Sequence, residues 1–285
     1  MQDREILLSE FAGFCFGVKR AVELAEKKLF ESKENSESIY SFGPLIHNPQ
    51  VVKQLKEKGV KVIENIQEIK NNSSVIIRTH GIHPDIEEEL KNKDITIVDV
   101  TCPFVRNVQN YAKQLKNEGY FIFLIGEKEH PEIKGILGYC GENSRVINSV
   151  QELFGIKIPQ SVGVIAQTTQ SITNFGEIVA YLSTIAKELK IFNTICWATE
   201  KRQQAAYKLA KVVDIMLVIG GKNSGNTRRL YEICKKVNNN TYHIETADEL
   251  DNSWFTDKVK RVGITAGAST PDWIILEVID RVKVI

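Results

Sequence analysis

Three cysteines offer the side chains best suited to metal or redox chemistry: Cys15 in Phe11-Ala-Gly-Phe-Cys-Phe-Gly-Val-Lys-Arg20, Cys102 in Asp99-Val-Thr-Cys-Pro-Phe104, and Cys196 in Asn193-Thr-Ile-Cys-Trp-Ala-Thr199. Each follows a β-branched run that reads as a strand and precedes an amphipathic stretch that reads as a helix. A helix N-terminus favours negative charge, so a thiol placed there is biased toward thiolate, the metal-binding form. The three are therefore expected to ligate one shared centre. Three thiolates without an evident fourth suit a catalytic zinc that keeps a water, or a cubane 4Fe-4S cluster with one iron left open. Spacings of about ninety residues exclude a local zinc knuckle or a ferredoxin run. Cys140 and Cys234 stand outside this register and read as buried packing residues.

Polar loops supply a second constellation. His47, His80, His130, the run Lys222-Asn-Ser-Gly-Asn226 and Gly267-Ala-Ser269 all fall at expected loop-to-helix junctions. Backbone amides at helix starts, joined by imidazole, amide and hydroxyl donors, make a phosphate site that needs little net positive charge. A small phosphorylated ligand is expected. Glu132, two residues after His130, is the candidate proton donor, because a carboxyl group in an enclosed pocket has a raised pKa. Thr168, Thr169 and Thr199 are candidates to hold a substrate hydroxyl. His83 and His243 do not recur in the loop register and read as capping or surface residues.

The elements that must position these residues form three copies of one unit. Each begins with a helix: Gly17 to Phe30, Phe104 to Asn117, Glu200 to Val213. A strand and polar loop follow, then a second helix opening near Pro49, Pro131 and Asn226; proline suits a first helical turn. A short strand, a short helical piece, another strand with its loop and a last helix complete the unit. Those last helices are expected at Pro84 to Asn92, Ile172 to Leu189 and Pro271 to Val282. The boundaries are thus 14–101, 102–195 and 196–285. The third copy lacks a closing strand, and Glu5-Ile-Leu-Leu-Ser9 lacks a unit of its own, so residues 1–13 are expected to add a strand to the third sheet. Alternating strands and helices predict parallel sheets with ligands at the carboxyl ends of the strands. The expected fold is an α/β pseudo-threefold trefoil of three small domains around a central cavity.

Composition sets outer limits. The 285 residues are 42% hydrophobic and 26% charged, as in ordinary globular proteins. A net charge of +1 and a pI near 7.6 advertise neither nucleic acid nor membrane as a partner. The absence of a signal core or long apolar run predicts a cytoplasmic protein. Five scattered cysteines, an odd count, argue against a disulfide framework.

Taken together, Ala12-Gly-Phe-Cys-Phe-Gly-Val, Pro44-Leu-Ile-His-Asn-Pro-Gln-Val-Val, Arg78-Thr-His-Gly, Val100-Thr-Cys-Pro, His130-Pro-Glu, Gln167-Thr-Thr, Cys196-Trp-Ala-Thr-Glu-Lys-Arg-Gln and Thr265-Ala-Gly-Ala-Ser resemble the LytB/IspH family of 4-hydroxy-3-methylbut-2-enyl diphosphate reductases. The resemblance spans nearly the whole chain. It implies a trefoil fold and one 4Fe-4S cluster held by Cys15, Cys102 and Cys196 with one open iron. The implied reaction is reduction of an allylic hydroxy-diphosphate to isopentenyl and dimethylallyl diphosphates, the last step of the non-mevalonate (MEP) isoprenoid pathway. An external electron donor such as ferredoxin or flavodoxin is implied as well. On the same likeness His47, His80, Ser224, Asn226 and Ser269 bind the diphosphate, His130 and Thr168 order the hydroxyl end, and Glu132 delivers protons. The family's second serine is Gly225 here, which leaves a main-chain N–H as the ligand at that position. Two alternatives stand beside this reading. A quinolinate-synthase-type dehydratase also takes one cluster cysteine from each of three repeats, but its carboxylate substrates would call for arginine pairs in the loops. A non-catalytic cluster carrier would not need His130, Thr168 and Glu132 beside the metal.

Overall fold

The computed structural model describes residues 4–35 and 37–285. In chain order the elements are β1 (Glu5–Leu8), α1 (Phe16–Asn35), β2 (Ile39–Phe42), α2 (Pro49–Glu57), β3 (Val60–Ile63), β4 (Ser73–Ile77), α3 (Pro84–Lys91), β5 (Ile95–Asp99), α4 (Pro103–Asn117), β6 (Phe121–Ile125) and α5 (Pro131–Cys140). They continue with β7 (Ser144–Ile147), β8 (Ser161–Ala166), α6 (Ile172–Ser183), β9 (Glu188–Ile191), α7 (Trp197–Ala210), β10 (Ile215–Ile219), α8 (Gly225–Lys235), β11 (Thr241–Ile244), β12 (Arg261–Ala266) and α9 (Asp272–Val284). Short 3-10 turns follow β3, β7 and β11.

The strands make three four-stranded parallel sheets, ordered β3-β2-β4-β5, β7-β6-β8-β9 and β11-β10-β12-β1. The protein is therefore α/β, and each sheet reverses its strand order between its first and third strands. That reversal is where open α/β sheets bind ligands. The chain divides into two compact units. One comprises Met1–Val18, His47–Val51 and Trp197–Ile285, and the other Lys19–Ile46 and Val52–Cys196.

The first of these units holds the sheet in which β1 pairs in parallel with β12, Glu5 opposite Arg261 through Leu8 opposite Ile264. Its central strand β10, Ile-Met-Leu-Val-Ile, has no polar residue because both faces are covered. Ile215, Leu217 and Ile219 pack with Val262, Ile274 and Val278 on one side; Met216 and Val218 pack with Ala206, Leu230 and Cys234 on the other. The second unit carries the other two sheets. β6 repeats the two-faced pattern there, with Ile122 and Leu124 against Val108, Leu115 and Ile136, and Phe123 and Ile125 against Val164, Ile178 and Leu182.

Besides α1, which runs on to Asn35 where the helix was expected to end at Phe30, two elements differ from the sequence expectation. The apolar spacing of Ile172, Phe175, Ile178, Leu182, Ile185 and Leu189 predicts one helix to Leu189, yet α6 stops at Ser183 and β9 begins at Glu188. The Ser183 and Thr184 hydroxyls donate to the carbonyls of Ala180 and Tyr181, drawing off groups that a continuing helix would use. The N–H groups of Lys187 and Glu188 then bond the Gln160 carbonyl, which starts the strand beside β8. The strand before Cys196 is thus Glu188–Ile191, and its first two residues fall inside the stretch expected to be helix. The second difference is α7, which begins directly after Cys196 rather than at Glu200, and ends at Ala210 rather than Val213. Asn238 Nδ2 donates to the carbonyls of both Ala210 and Val213, closing that end.

Candidate active site

Each of the three repeated cysteines sits immediately before a helix: Cys15 before α1, Cys102 as the N-cap of α4, Cys196 before α7. Each also donates its backbone N–H to a carbonyl two residues past the end of the neighbouring strand. The pairs are Cys15 to Ala268 after β12 (3.1 Å), Cys102 to Thr79 after β4 (3.0 Å) and Cys196 to Thr168 after β8 (2.9 Å). One bond therefore recurs three times, tying each thiol-bearing turn to a loop that carries candidate ligand residues. The three thiols are partly exposed. Cys140 and Cys234 are buried and free, and burial pushes both thiols up to about 12. Those two stay protonated and inert, whereas the three partly exposed thiols at helix starts have the donor chemistry that an iron–sulfur cluster requires.

Within the unit built from Lys19–Ile46 and Val52–Cys196, the residues expected around a substrate hydroxyl come together. His130 is the N-cap of α5, and its Nδ1 accepts the Glu132 N–H at 3.2 Å. A neutral imidazole accepting at Nδ1 carries its proton on Nε2 and can donate from there. His80, at the loop after β4, packs edge-on against His130 with ring centroids 5.4 Å apart. Glu132, in the first turn of α5, is 1% exposed. Its Oε1 accepts the Thr168 N–H at 2.7 Å and its Oε2 the Thr168 hydroxyl at 2.9 Å. Burial nevertheless dominates, and raises the Glu132 carboxyl to about 7 against the partial relief from those two bonds. Thr168 joins the parts: its amide and hydroxyl hold Glu132 while its carbonyl holds Cys196. Thr169 is less available than the sequence suggests, because its hydroxyl accepts from Gln167 Nε2 at 2.9 Å.

The other unit holds the remaining expected anion ligands, His47, Ser224, Gly225, Asn226 and Ser269, whereas His80 lies with His130. His47 Nδ1 lies 3.0 Å from the Asn223 carbonyl, and the Ser269 hydroxyl donates to the His47 carbonyl at 3.0 Å. Because a carbonyl only accepts, His47 carries a proton on Nδ1. Ser224 is the N-cap of α8, its hydroxyl accepting from the Thr227 N–H, and Gly225 and Asn226 form the first turn. Asn226 is 4% exposed, yet neither its amide nitrogen nor its oxygen has a partner. A buried amide left unsatisfied at a helix start is suited to accept a polar ligand. Lys222 does not join this group: its N–H and Nζ go to Glu245 and Glu249.

Sequence reasoning left several supporting residues unread. Gln167, 2% exposed, accepts the Glu127 N–H and so shapes the loop before His130. His243 Nε2 bonds the carbonyl of Gly220, whose φ of 140° only glycine adopts freely, and fixes the turn into Lys222–Asn226. Arg202 lies buried in α7 and donates from Nε to the Phe11 carbonyl and from Nη2 to the Gly13 carbonyl, both at 2.8 Å. On the sequence it reads as one more charge on an amphipathic helix. His83 caps α3 through Nδ1, as its capping assignment expects.

Comparison with known proteins agrees over the full length. The model of the family described as LytB protein matches residues 6–283. The 4-hydroxy-3-methylbut-2-enyl diphosphate reductase of Aquifex aeolicus is 51% identical over 98% of this chain and 96% of its own. That of Caldanaerobacter subterraneus subsp. tengcongensis is 47% identical over 98% and 96%. Among solved structures, one described as (E)-4-hydroxy-3-methyl-but-2-enyl diphosphate reductase, the terminal enzyme of the non-mevalonate pathway, is 51% identical with a TM-score of 0.72, covering 99% of this chain and 100% of that one. The Plasmodium falciparum E-1-hydroxy-2-methyl-but-2-enyl-4-diphosphate reductase is 29% identical with a TM-score of 0.92, covering 98% and 88%.

Proposed function

The chain belongs to the LytB family, and from that footing we infer that it is a 4-hydroxy-3-methylbut-2-enyl diphosphate reductase, an iron–sulfur oxidoreductase of the non-mevalonate isoprenoid pathway. The single observation that carries the chemistry is the Glu132–Thr168–Cys196 connection, which places a buried, proton-holding carboxyl one residue's bonding away from a candidate cluster ligand.

We propose that Cys15, Cys102 and Cys196, one from each repeat of 14–101, 102–195 and 196–285, hold one 4Fe-4S cluster with an open iron. A cluster so held supplies electrons one at a time. The reaction takes up two electrons and two protons: the allylic C–O bond breaks, the oxygen leaves as water, and a C–H bond forms. Glu132 holds the proton that lets oxygen leave as water rather than hydroxide. Thr168 keeps that carboxyl aimed, and His130, donating from Nε2, orders the hydroxyl end of the substrate. His47, His80, Ser224, the Gly225 N–H, Asn226 and Ser269 receive the diphosphate. Ser269 exchanges its bond to the His47 carbonyl for a phosphate oxygen, and Asn226 gains the partner it lacks. Thr169 has the weakest claim to the substrate, being engaged by Gln167.

Anaerobically reconstituted protein supplied with a reduced viologen dye should convert the hydroxy-diphosphate to both isopentenyl and dimethylallyl diphosphates. Failure to consume it, with cluster present and dye reduced, contradicts the assignment.

A further inference from the structure

The residues directly after two of the three cysteines are large, aromatic and open to solvent: Phe16 is 67% exposed and Trp197 51%. Each ring stands one residue after a candidate cluster cysteine. Trp197 begins a stripe along α7. Trp197, Lys201, Gln204, Tyr207, Lys208 and then Lys211 are all exposed and recur at helical spacing. Lys201 Nζ lies 5.1 Å from the centre of the Trp197 ring and 5.8 Å from that of Phe11, and Lys211 Nζ lies 4.3 Å from that of Tyr207. These cation–π contacts lay Lys201 and Lys211 over aromatic rings without neutralising them, and Lys208 stands exposed between them. Glu200, the one acid in the first turn of α7, is occupied by Gln204 Nε2.

We propose that this stripe, Trp197 to Lys211 with Phe11 beside Lys201, is the docking surface for a small acidic one-electron carrier protein. The proposal rests on the reductase reading. That reaction consumes two electrons per turnover, so two reduced carriers are each oxidised by one electron for every water released. Transfer slows exponentially with distance, and a carrier seated here meets the chain at Trp197, directly after Cys196, on the helix whose Arg202 holds the Phe11 and Gly13 carbonyls of the turn into Cys15. The charge complement favours an acidic partner, in a protein whose overall charge of +1 gives no such preference. Aromatic rings supply the contact area at the centre, and lysines supply the encounter rate at the rim.

The test compares the triple variant Lys201→Glu, Lys208→Glu, Lys211→Glu with the unsubstituted cluster-loaded protein, using reduced acidic ferredoxin or reduced methyl viologen as donor. With ferredoxin, kcat/KM should fall at least tenfold at low salt and lose its salt dependence, and calorimetric titration should show a matching rise in Kd. With viologen, which needs no docking surface, turnover should stay within twofold. Unchanged ferredoxin-driven turnover and ferredoxin affinity in the variant overturn the proposal. So does binding of the unsubstituted protein to phosphatidylserine vesicles, abolished in the variant, with no binding of ferredoxin. An unsubstituted protein inactive with viologen overturns the reductase reading instead, and the calorimetric arm still decides the docking surface.

Discussion

Glu132 keeps its proton near neutrality because the low-dielectric surroundings of α5 and β8 penalise the carboxylate more than Thr168 relieves it. Two outcomes follow at this scale. Turnover should fall as pH rises above about 7, where the proton is lost; a pH profile of kcat flat from 6 to 9 speaks against Glu132 as the acid. Glu132→Gln should keep the cluster and slow turnover at least ~100-fold. Stability gives an independent check. The folded pKa lies above the usual carboxylate value of 4.5, so Glu132 imposes no penalty below pH 4.5, a growing one as pH rises, and its full penalty above about 7. The difference corresponds to about 3 kcal/mol. Glu132→Gln removes that dependence, and urea melts of cluster-free protein should show the variant gaining on the parent by that order between pH 4.5 and 8. Diphosphate binding provides the other residue-scale outcome: Asn226→Ala should weaken substrate binding by about 1 to 3 kcal/mol while iron content holds. An unchanged dissociation constant takes Asn226 out of the site. Glu132 was legible in the sequence from its place after His130. Thr168's bonds to both Glu132 and Cys196 were not, because a loop threonine gives no sign of which carboxylate comes within reach.

At the level of elements, Arg202 binds α7 to the turn that leads into Cys15. Its guanidinium donates to two backbone carbonyls in the 11–13 segment. Arg202→Ala leaves those acceptors without their charged donor, and should lower unfolding free energy by about 3 kcal/mol and speed cluster loss. Equal unfolding midpoints and equal cluster lifetimes in parent and variant would remove that role. Strand-to-helix order was readable from the switch between short β-branched runs and 3.6-residue spacing. The β8–β9 connection was not. Ile172 to Leu189 keeps helical spacing throughout, and only hydroxyl bonds from Ser183 and Thr184 interrupt it. Periodicity reports which face is apolar; it does not report local competition for backbone carbonyls.

Across the whole molecule, one plan recurs: three parallel sheets of the same strand order, each with a cysteine on the turn after its outer strand and candidate ligand loops at its order reversal. That repetition is what made the chemistry readable, since a single cysteine after a strand is usually a small buried hydrophobe. Among the described residues no helix is long and apolar enough to cross a membrane. Arg202 and Gln167 escaped notice, and His243 read as a capping or surface residue, because all three bond backbone groups and leave no periodic trace. The central claim is that three thiols, one per repeat, share one cluster. Iron and acid-labile sulfide per chain, measured anaerobically in the five single cysteine variants, test it most directly. The unsubstituted protein, Cys140→Ala and Cys234→Ala should each carry about four irons and four sulfides, and Cys15→Ser, Cys102→Ser and Cys196→Ser should each lose or degrade the cluster. Full iron and sulfide in any of those three serine variants, or cluster loss in Cys140→Ala, would contradict the account.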